Sequence, residues 1–390
     1  MSTSAAYSDL ALMLSGGGAR ASYQVGVLRF LAREFPEVVP GILTGVSAGG
    51  INAAYLAAHQ EPFPDKVENL ARVWTGIRMD DVLRVDLRDL ASRTLRWGGR
   101  LLAGGKYALR PARSMVDTVP LLQLLGRLLE ASGTEIPGIA KSLQAGWLRA
   151  IALTASSYTT GQSVTWVQTR EDCGIQTWER PQRKSATCVL RVDHVLASSA
   201  LPFFFPAVQV DGAWYGDGGI RLTTPLAPAV HLGARRIIAV STRYARSREE
   251  ADRPAISDYP PPAQVAGALY NAIFLDQLDA DALEMLRINR LVARLPEPDR
   301  DGLRPIDLLM LRPSVDLGQL ANAYEADLPR PFRFLTRGLG TRETRSNDLL
   351  SLLMFQSDYV RHLIELGEAD AAARIEDIRW FFETPSPDVS

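Results

Sequence analysis

Cysteine, histidine and surplus charge are what this sequence has least of. Its two cysteines, Cys173 and Cys188, supply no disulfide framework, and neither has a second ligand at metal-binding spacing. They are expected as reduced, incidental thiols. Its 43 basic and 44 acidic side chains nearly cancel, so nothing global draws the chain to nucleic acid. The stretch Met1 to Asp9 has no basic segment followed by an apolar one, and no window reaches the ~18 uncharged apolar residues of a spanning helix. A soluble, cytoplasmic protein is expected, peripheral at a membrane if a local feature attracts it. Export by a route that needs no signal stays open.

What is present is enough chain for one large α/β domain, or a catalytic domain with an appended subdomain, in 390 residues. It is organised around Thr44-Gly45-Val46-Ser47-Ala48-Gly49-Gly50, with apolar Gly41-Ile42-Leu43 before it and helix-compatible Ile51 to Ala58 after it. That pattern predicts a strand, a sharp turn and a helix. In a G-x-S-x-G turn the flanking glycines let strand and helix pass closely and present the serine, here Ser47, out of the fold at a helix N-terminus, where developing negative charge is favoured.

Upstream, Leu10 to Ser15 reads as a buried strand opening into Gly16-Gly17-Gly18-Ala19-Arg20, with a mostly buried helix from Ala21 to Phe35. The first ~60 residues therefore predict a strand-helix-strand-helix unit with a parallel sheet. A glycine-rich turn of this kind gathers backbone N–H groups that serve a phosphate or the oxyanion of acyl transfer. Gly16, Gly18 and Ala21 fit a dinucleotide fingerprint, but that reading wants an acid closing the second strand, which closes with Ser47 instead. Glu37 has about the right spacing and lies before the strand. No cofactor is expected, and no metal, since no His/Cys/Asp/Glu cluster at ligand spacing accompanies either motif.

From Pro62 to about Gly146, Leu- and Arg-rich helical segments predict an insertion resembling a lid. Leu148 to Ala155 and Ser163 to Val167 predict a strand pair, and residues 170–192 an irregular polar stretch. A short helix is expected at Val195 to Ala200, and two short strands around Asp211-Gly212 leading to Gly216-Asp217-Gly218-Gly219. Strands follow at Arg236 to Thr242, Ile288 to Leu295 and Ile306 to Leu311. Helices are expected at Ala263 to Leu286, Asp348 to Leu366 and Ala369 to Phe382, then a disordered Pro/Ser tail from Thr384 to Ser390.

Gly16-Gly17-Gly18-Ala19-Arg20, Gly45-Val46-Ser47-Ala48-Gly49 and Asp217-Gly218-Gly219, in that order, resemble the patatin-like phospholipase family. Ala197 to Pro202, Pro225-Leu226 with Leu232-Gly233-Ala234, and Asp117 to Leu125 are similar to further family segments. The resemblance covers roughly residues 9–245, taken as the catalytic domain with its insertion at about 62–146. Residues 246–390 are taken as an extension completing the sheet and adding helices. The departures are small: Ala21 stands at the third glycine position of the loop, and Gly219 where many relatives have alanine.

The resemblance implies a three-layer α/β fold with a central, mainly parallel sheet, and a serine lipid acyl hydrolase working through a Ser-Asp dyad. Ser47 would be the nucleophile, Asp217 the general base, and Gly16, Gly17, Gly18 and Arg20 would surround the oxyanion hole. Gly45, Gly49, Gly218 and Gly219 would be the motif glycines, and a lipid or other acyl ester the substrate. Independently, an aspartate between glycines on a tight turn can approach a serine closely. A basic group at a helix start is unfavourable beside the dipole, which favours a functional role for Arg20.

A Ser-His-Asp triad is the rival, with His59, His194, His231 and His362 to choose from, and His194 the nearest contender in sequence. A non-catalytic lipid-binding protein on the same scaffold is the competing class. Phe203-Phe204-Phe205 fits an acyl-chain groove as well as core packing. The 84–113 stretch sets eight basic groups against Asp86 and Asp89, with Leu95 and Trp97 among them; it suits docking on anionic lipid or a solvated cap. Trp380-Phe381-Phe382 is expected to pack on the catalytic domain or at a subunit contact.

Overall fold

Leu10–Leu14 (β1) and Ile42–Val46 (β2) are buried at every residue. Both faces of each strand are covered, which is why each is a continuous apolar run rather than an alternating one. They pair in parallel, Leu12 opposite Leu43. Between them runs α1 (Ser22–Glu34), which leaves only Arg33 and Glu34 fully exposed. The computed structural model describes residues 9–82, 119–202, 204–252, 259–274, 276–329, 332–333 and 346–384.

The later strands in chain order are β3 (Ala150–Ser157), β4 (Ser163–Thr169), β5 (Glu179–Arg180), β6 (Arg183–Thr187), β7 (Val208–Val210), β8 (Ala213–Asp217), β9 (Arg236–Val240) and β10 (Asp307–Leu311). Across the sheet they run β10-β9-β1-β2-β3-β4-β6-β5. From β10 to β3 every neighbour is parallel. The β3/β4 hairpin reverses direction, and the β7/β8 hairpin lays β8 antiparallel on the end of β3, with Asp217 opposite Ala155. Leu10, Leu12 and Leu14 enter one hydrophobic cluster, while Ala11 and Met13 enter the other. Helices cover both faces, and the fold is a three-layer α/β sandwich around a mainly parallel sheet.

The insertion is helical where it is described: α3 (Phe63–Gly76), then Met79–Val82, Val119–Leu128 and Pro137–Gln144. The basic 84–113 stretch lies outside the described residues, as do Asp117, Phe203 and the tail after Thr384.

Three expectations need correction. Residues 170–192 are not irregular: β5 and β6 lie there, and β6 pairs in parallel with β4. Only Ser185 of β6 is buried, so this edge strand carries no apolar run to announce it. Ile288 to Leu295 is not a strand but the end of the Asp276–Val292 helix and the turn after it. Asn289 there bonds both backbone groups of Ile306 at the entrance to β10. The helix expected from Asp348 to Leu366 breaks at Met354–Gln356, giving Asp348–Leu353 and Ser357–Ala373.

Candidate active site

Ser47 stands where β2 becomes α2 (Ser47–Ala58), with φ of 56°. A non-glycine residue in this left-handed region is strained by about 1–3 kcal/mol, which the surrounding structure must hold. Gly45 and Gly49 permit that turn. A Cβ on Gly45 would lie 2.7 Å from the Gly49 carbonyl oxygen, and one on Gly49 only 2.3 Å from that of Ser15. The Ser47 N–H donates to Ser198 Oγ at 3.1 Å, and Ser198 in turn donates to the Thr154 carbonyl at 2.7 Å. The turn is thereby tied to β3.

Asp217 ends β8 and is fully buried. Its N–H donates to the Ala200 carbonyl at 2.9 Å, while Ser156 Oγ, from β3, donates to the Gly218 carbonyl at 3.3 Å. The strand that braces Ser47 therefore also braces the Asp217 turn. Burial pushes the Asp217 carboxyl up to about 7, and hydrogen bonds from the Ser47 hydroxyl and the Gly219 N–H pull it partway back. The Gly219 bond is 2.9 Å, to Oδ1. The Ser47 contact is looser, because Oδ2 has no partner at ordinary hydrogen-bond geometry.

The Gly16-Gly17-Gly18 loop closes over Ser47; a Cβ on Gly16 would sit 3.2 Å from Ser47 Cβ. Thr242 Oγ1 donates to the Gly16 carbonyl at 2.6 Å. Beneath it runs a buried polar chain in which Trp74 Nε1 donates to Asn52, Asn52 to Gln24, and Gln24 to the Ser15 carbonyl, at 2.8, 3.0 and 2.7 Å. Gly18, with φ of 54°, meets the C-terminal part of the chain, where a Cβ would lie 2.1 Å from the Leu352 carbonyl oxygen. The Gly17 and Gly18 N–H groups meet no acceptor among the described residues.

Arg20 follows this loop directly, but its side chain turns away from Ser47. Nη2 pairs with Asp348 Oδ1 and Nε donates to Ser351 Oγ, both at 2.7 Å.

Gly17, Gly18, Ser47, Ala48 and Ser199 line part of a cavity whose other walls are apolar. Val73, Trp74 and Ile77 come from α3 and the turn after it, Leu121 and Leu125 from Val119–Leu128, and Leu352 and Phe355 from the Asp348–Leu353 helix and the break after it. Phe205 lines this cavity too, whereas Phe204 packs against Tyr270 at 6.1 Å. Sequence reasoning missed Ser198, Trp74, Phe274 and the Leu352–Phe355 wall. The one local signal for that wall is the helix break after Leu353.

No histidine lines the cavity. His59 packs on Tyr55 and bonds the Leu128 carbonyl. His194 is buried beside Trp166, accepts the Arg191 N–H at Nδ1, and is pushed down to about 4 by burial. His231 stacks on Trp178, and His362 bonds the Tyr324 hydroxyl. Glu37 borders a separate cleft with Lys66 and Trp147. Both cysteines are free. Phe381 is buried while Trp380 is exposed. Among the described residues no group of three His, Cys, Asp or Glu is placed to hold a metal, and no helix is long and apolar enough to cross a membrane.

A family model described as patatin-like phospholipase matches residues 12–230. Uncharacterized protein YjjU of Escherichia coli (strain K12) is 26% identical over 235 residues, covering 60% of this chain and 52% of that protein. The chain thus matches about half the length of this curated relative. Human GIVD cytosolic phospholipase A2, solved with methyl gamma-linolenyl fluorophosphonate, aligns over 96% of this chain and 58% of its own, with 13% identity and a TM-score of 0.46. VipD from Legionella pneumophila aligns over 94% and 66%, with 12% identity and a TM-score of 0.35.

Proposed function

This chain belongs to the patatin-like phospholipase family, and from that premise we propose that it is a serine hydrolase of lipid acyl esters working through Ser47 and Asp217. The observation that carries the reading is a strained serine and two N–H groups that meet no acceptor among the described residues at one end of an apolar cavity, with the fully buried Asp217 carboxyl behind them within reach of the Ser47 hydroxyl. An apolar cavity suits an acyl chain, and the polar groups stand only where the ester would lie.

In this mechanism Asp217 accepts the Ser47 proton as the hydroxyl oxygen attacks the ester carbonyl. A base with a pKa near 7 is matched to that task at neutral pH. The tetrahedral oxyanion is held by the Gly17 and Gly18 N–H groups, which need no reorganisation as charge develops. Asp217 then passes its proton to the leaving alcohol, and the acyl group stays on Ser47. Water, deprotonated by Asp217, attacks the acyl-serine; the fatty acid leaves and Ser47 regains its proton. Arg20 acts here on the position of the loop, through Asp348 and Ser351, rather than on the oxyanion.

The test is release of free fatty acid from a panel of phospholipids, lysophospholipids and triacylglycerols, with Ser47→Ala as control and a fluorophosphonate as covalent label. Serine-dependent release and labelling are expected together. A folded protein that takes neither label nor lipid would overturn the reading in favour of a binding protein.

A further inference from the structure

The helix Pro262–Phe274 has its polarity reversed. Its exposed positions are Pro262, Val265, Ala268, Leu269, Ala272 and Ile273, all apolar. Val265, Leu269 and Ile273 are 46%, 59% and 38% exposed. Its two amides, Gln264 and Asn271, point inward, and each buries its side-chain oxygen without a hydrogen-bond partner. No charged residue occurs between Tyr259 and Phe274. A helix packed on a protein in water shows the opposite arrangement, with the apolar stripe inward and polar groups outside.

The next helix, Asp276–Val292, and the turn after it add charge to the pattern. Past the helix's first turns, which hold Asp276, Asp279 and Asp281, the exposed Leu283, Leu286, Leu291 and Leu295 are interleaved with Arg287, Arg290 and Arg294, and from 283 to 295 the one acid is Glu284. None of these three guanidiniums pairs with an acid among the described residues.

Position connects this surface to the site. Phe274 lines the Ser47 cavity and its ring lies against Gly219. Tyr270, stacked on Phe274 at 5.4 Å, donates its hydroxyl to the Pro202 carbonyl at 2.8 Å. One side of the helix is thus a wall of the cavity, and the other is the bare apolar stripe.

We propose that this stripe, Val265, Leu269 and Ile273, docks the protein on an anionic lipid bilayer, with Arg287, Arg290 and Arg294 meeting the phosphates. The proposal rests on the lipid-hydrolase reading and adds to it the surface through which the enzyme reaches its substrate. Exposed apolar residues on one helix, and exposed arginines without an acidic partner among the described residues on the helix that follows and packs against it, are what an anionic interface selects. A second copy is the poorer occupant, because a two-fold contact places the same patch, with the same three cations, against itself.

The test uses Ser47→Ala protein, so that hydrolysis does not alter the lipid, and vesicles of phosphatidylcholine with and without about 30% phosphatidylglycerol. Leu269→Glu/Ile273→Glu should lower partitioning onto both vesicles by about tenfold or more. Arg287→Gln/Arg290→Gln/Arg294→Gln should remove about tenfold of the gain from phosphatidylglycerol and leave binding to phosphatidylcholine. With Ser47 restored, both sets should turn over a soluble short-chain ester within about twofold of the parent. Unchanged partitioning of the Leu269/Ile273 variant overturns the proposal. So does a concentration-dependent dimer, seen by sedimentation, that this variant dissolves. Vesicle binding lost as expected, with no fatty acid released by the Ser47 protein from any lipid, upholds the docking surface and sinks the hydrolase reading instead.

Discussion

Arg20 and Asp348 are 328 positions apart in the chain and joined by a 2.7 Å ion pair in the fold. Both side chains are nearly inaccessible to water, and the pair sits immediately behind the loop that carries the Gly17 and Gly18 N–H groups. The geometry of the proposed oxyanion hole is therefore held from the far end of the chain.

Removing one partner of such a pair leaves a buried charge uncompensated. Asp348→Ala is expected to cost about 3 kcal/mol or more in urea unfolding. The turnover number for a soluble ester should fall while KM changes little, because the loop shifts and the cavity does not. Arg20→Lys should rescue poorly, since an ammonium cannot bond Asp348 and Ser351 as a fork does.

Activity should rise with pH through about 7, because the proposed base, Asp217, would work only when ionised and burial holds it protonated below that point. Stability should run the other way. The folded pKa lies above the unfolded value, so the folded state binds the extra proton between about 4 and 7. Stability from this group is complete below about 4 and is lost as pH rises to about 7, by something on the order of 4 kcal/mol. Unfolding free energies across this range, with Asp217→Asn as reference, should show a decline in the parent that the variant lacks.

Asp217→Asn keeps the shape of the site and removes the proposed base, so its rate should fall by on the order of 10²-fold or more. His59→Ala, His194→Ala, His231→Ala and His362→Ala, each checked for folding, should stay within about tenfold of the parent. A single histidine variant as inactive as Ser47→Ala, with Asp217→Asn still active, would replace the dyad by a triad.

Gly49→Ala places a methyl group 2.3 Å from a backbone oxygen of β1's end. Overpacking of this order costs about 1–3 kcal/mol or more. Thermal unfolding should show the loss, together with weaker fluorophosphonate labelling as the Ser47 turn moves.

What was legible in the sequence follows from how far apart the interacting residues are. β1, β2 and the Ser47 turn are written locally, because strands covered on both faces must be apolar throughout and a serine in this turn needs small neighbours. The β7/β8 hairpin is announced by Asp211-Gly212, both at positive φ. β6 escaped because it is polar, and the Ile288 segment misled because Ile288, Leu291 and Leu295 are exposed around a helix end that buries only Val292 among its large apolar residues. The Arg20 ion pair and the Leu352–Phe355 wall join residues more than 300 positions apart, which leaves no periodicity to read. The role of Arg20 shows the difference: its place beside the glycine loop was plain, whereas the direction of its side chain was set by a helix at the other end of the chain.

The same pair sets an order on biosynthesis. A ribosome releases Ser47 and Asp217 well before it has made Asp348, Ser351 and Leu352, so the proposed nucleophile and base exist in the nascent chain while the glycine loop still lacks its buttress. Until the Asp348–Leu353 helix docks, Arg20 lacks its Asp348 and Ser351 partners and one wall of the cavity is missing. On the proposed reading, the growing polypeptide would lack a finished oxyanion loop and acyl cavity until this one short helix docks, so competence would arrive late.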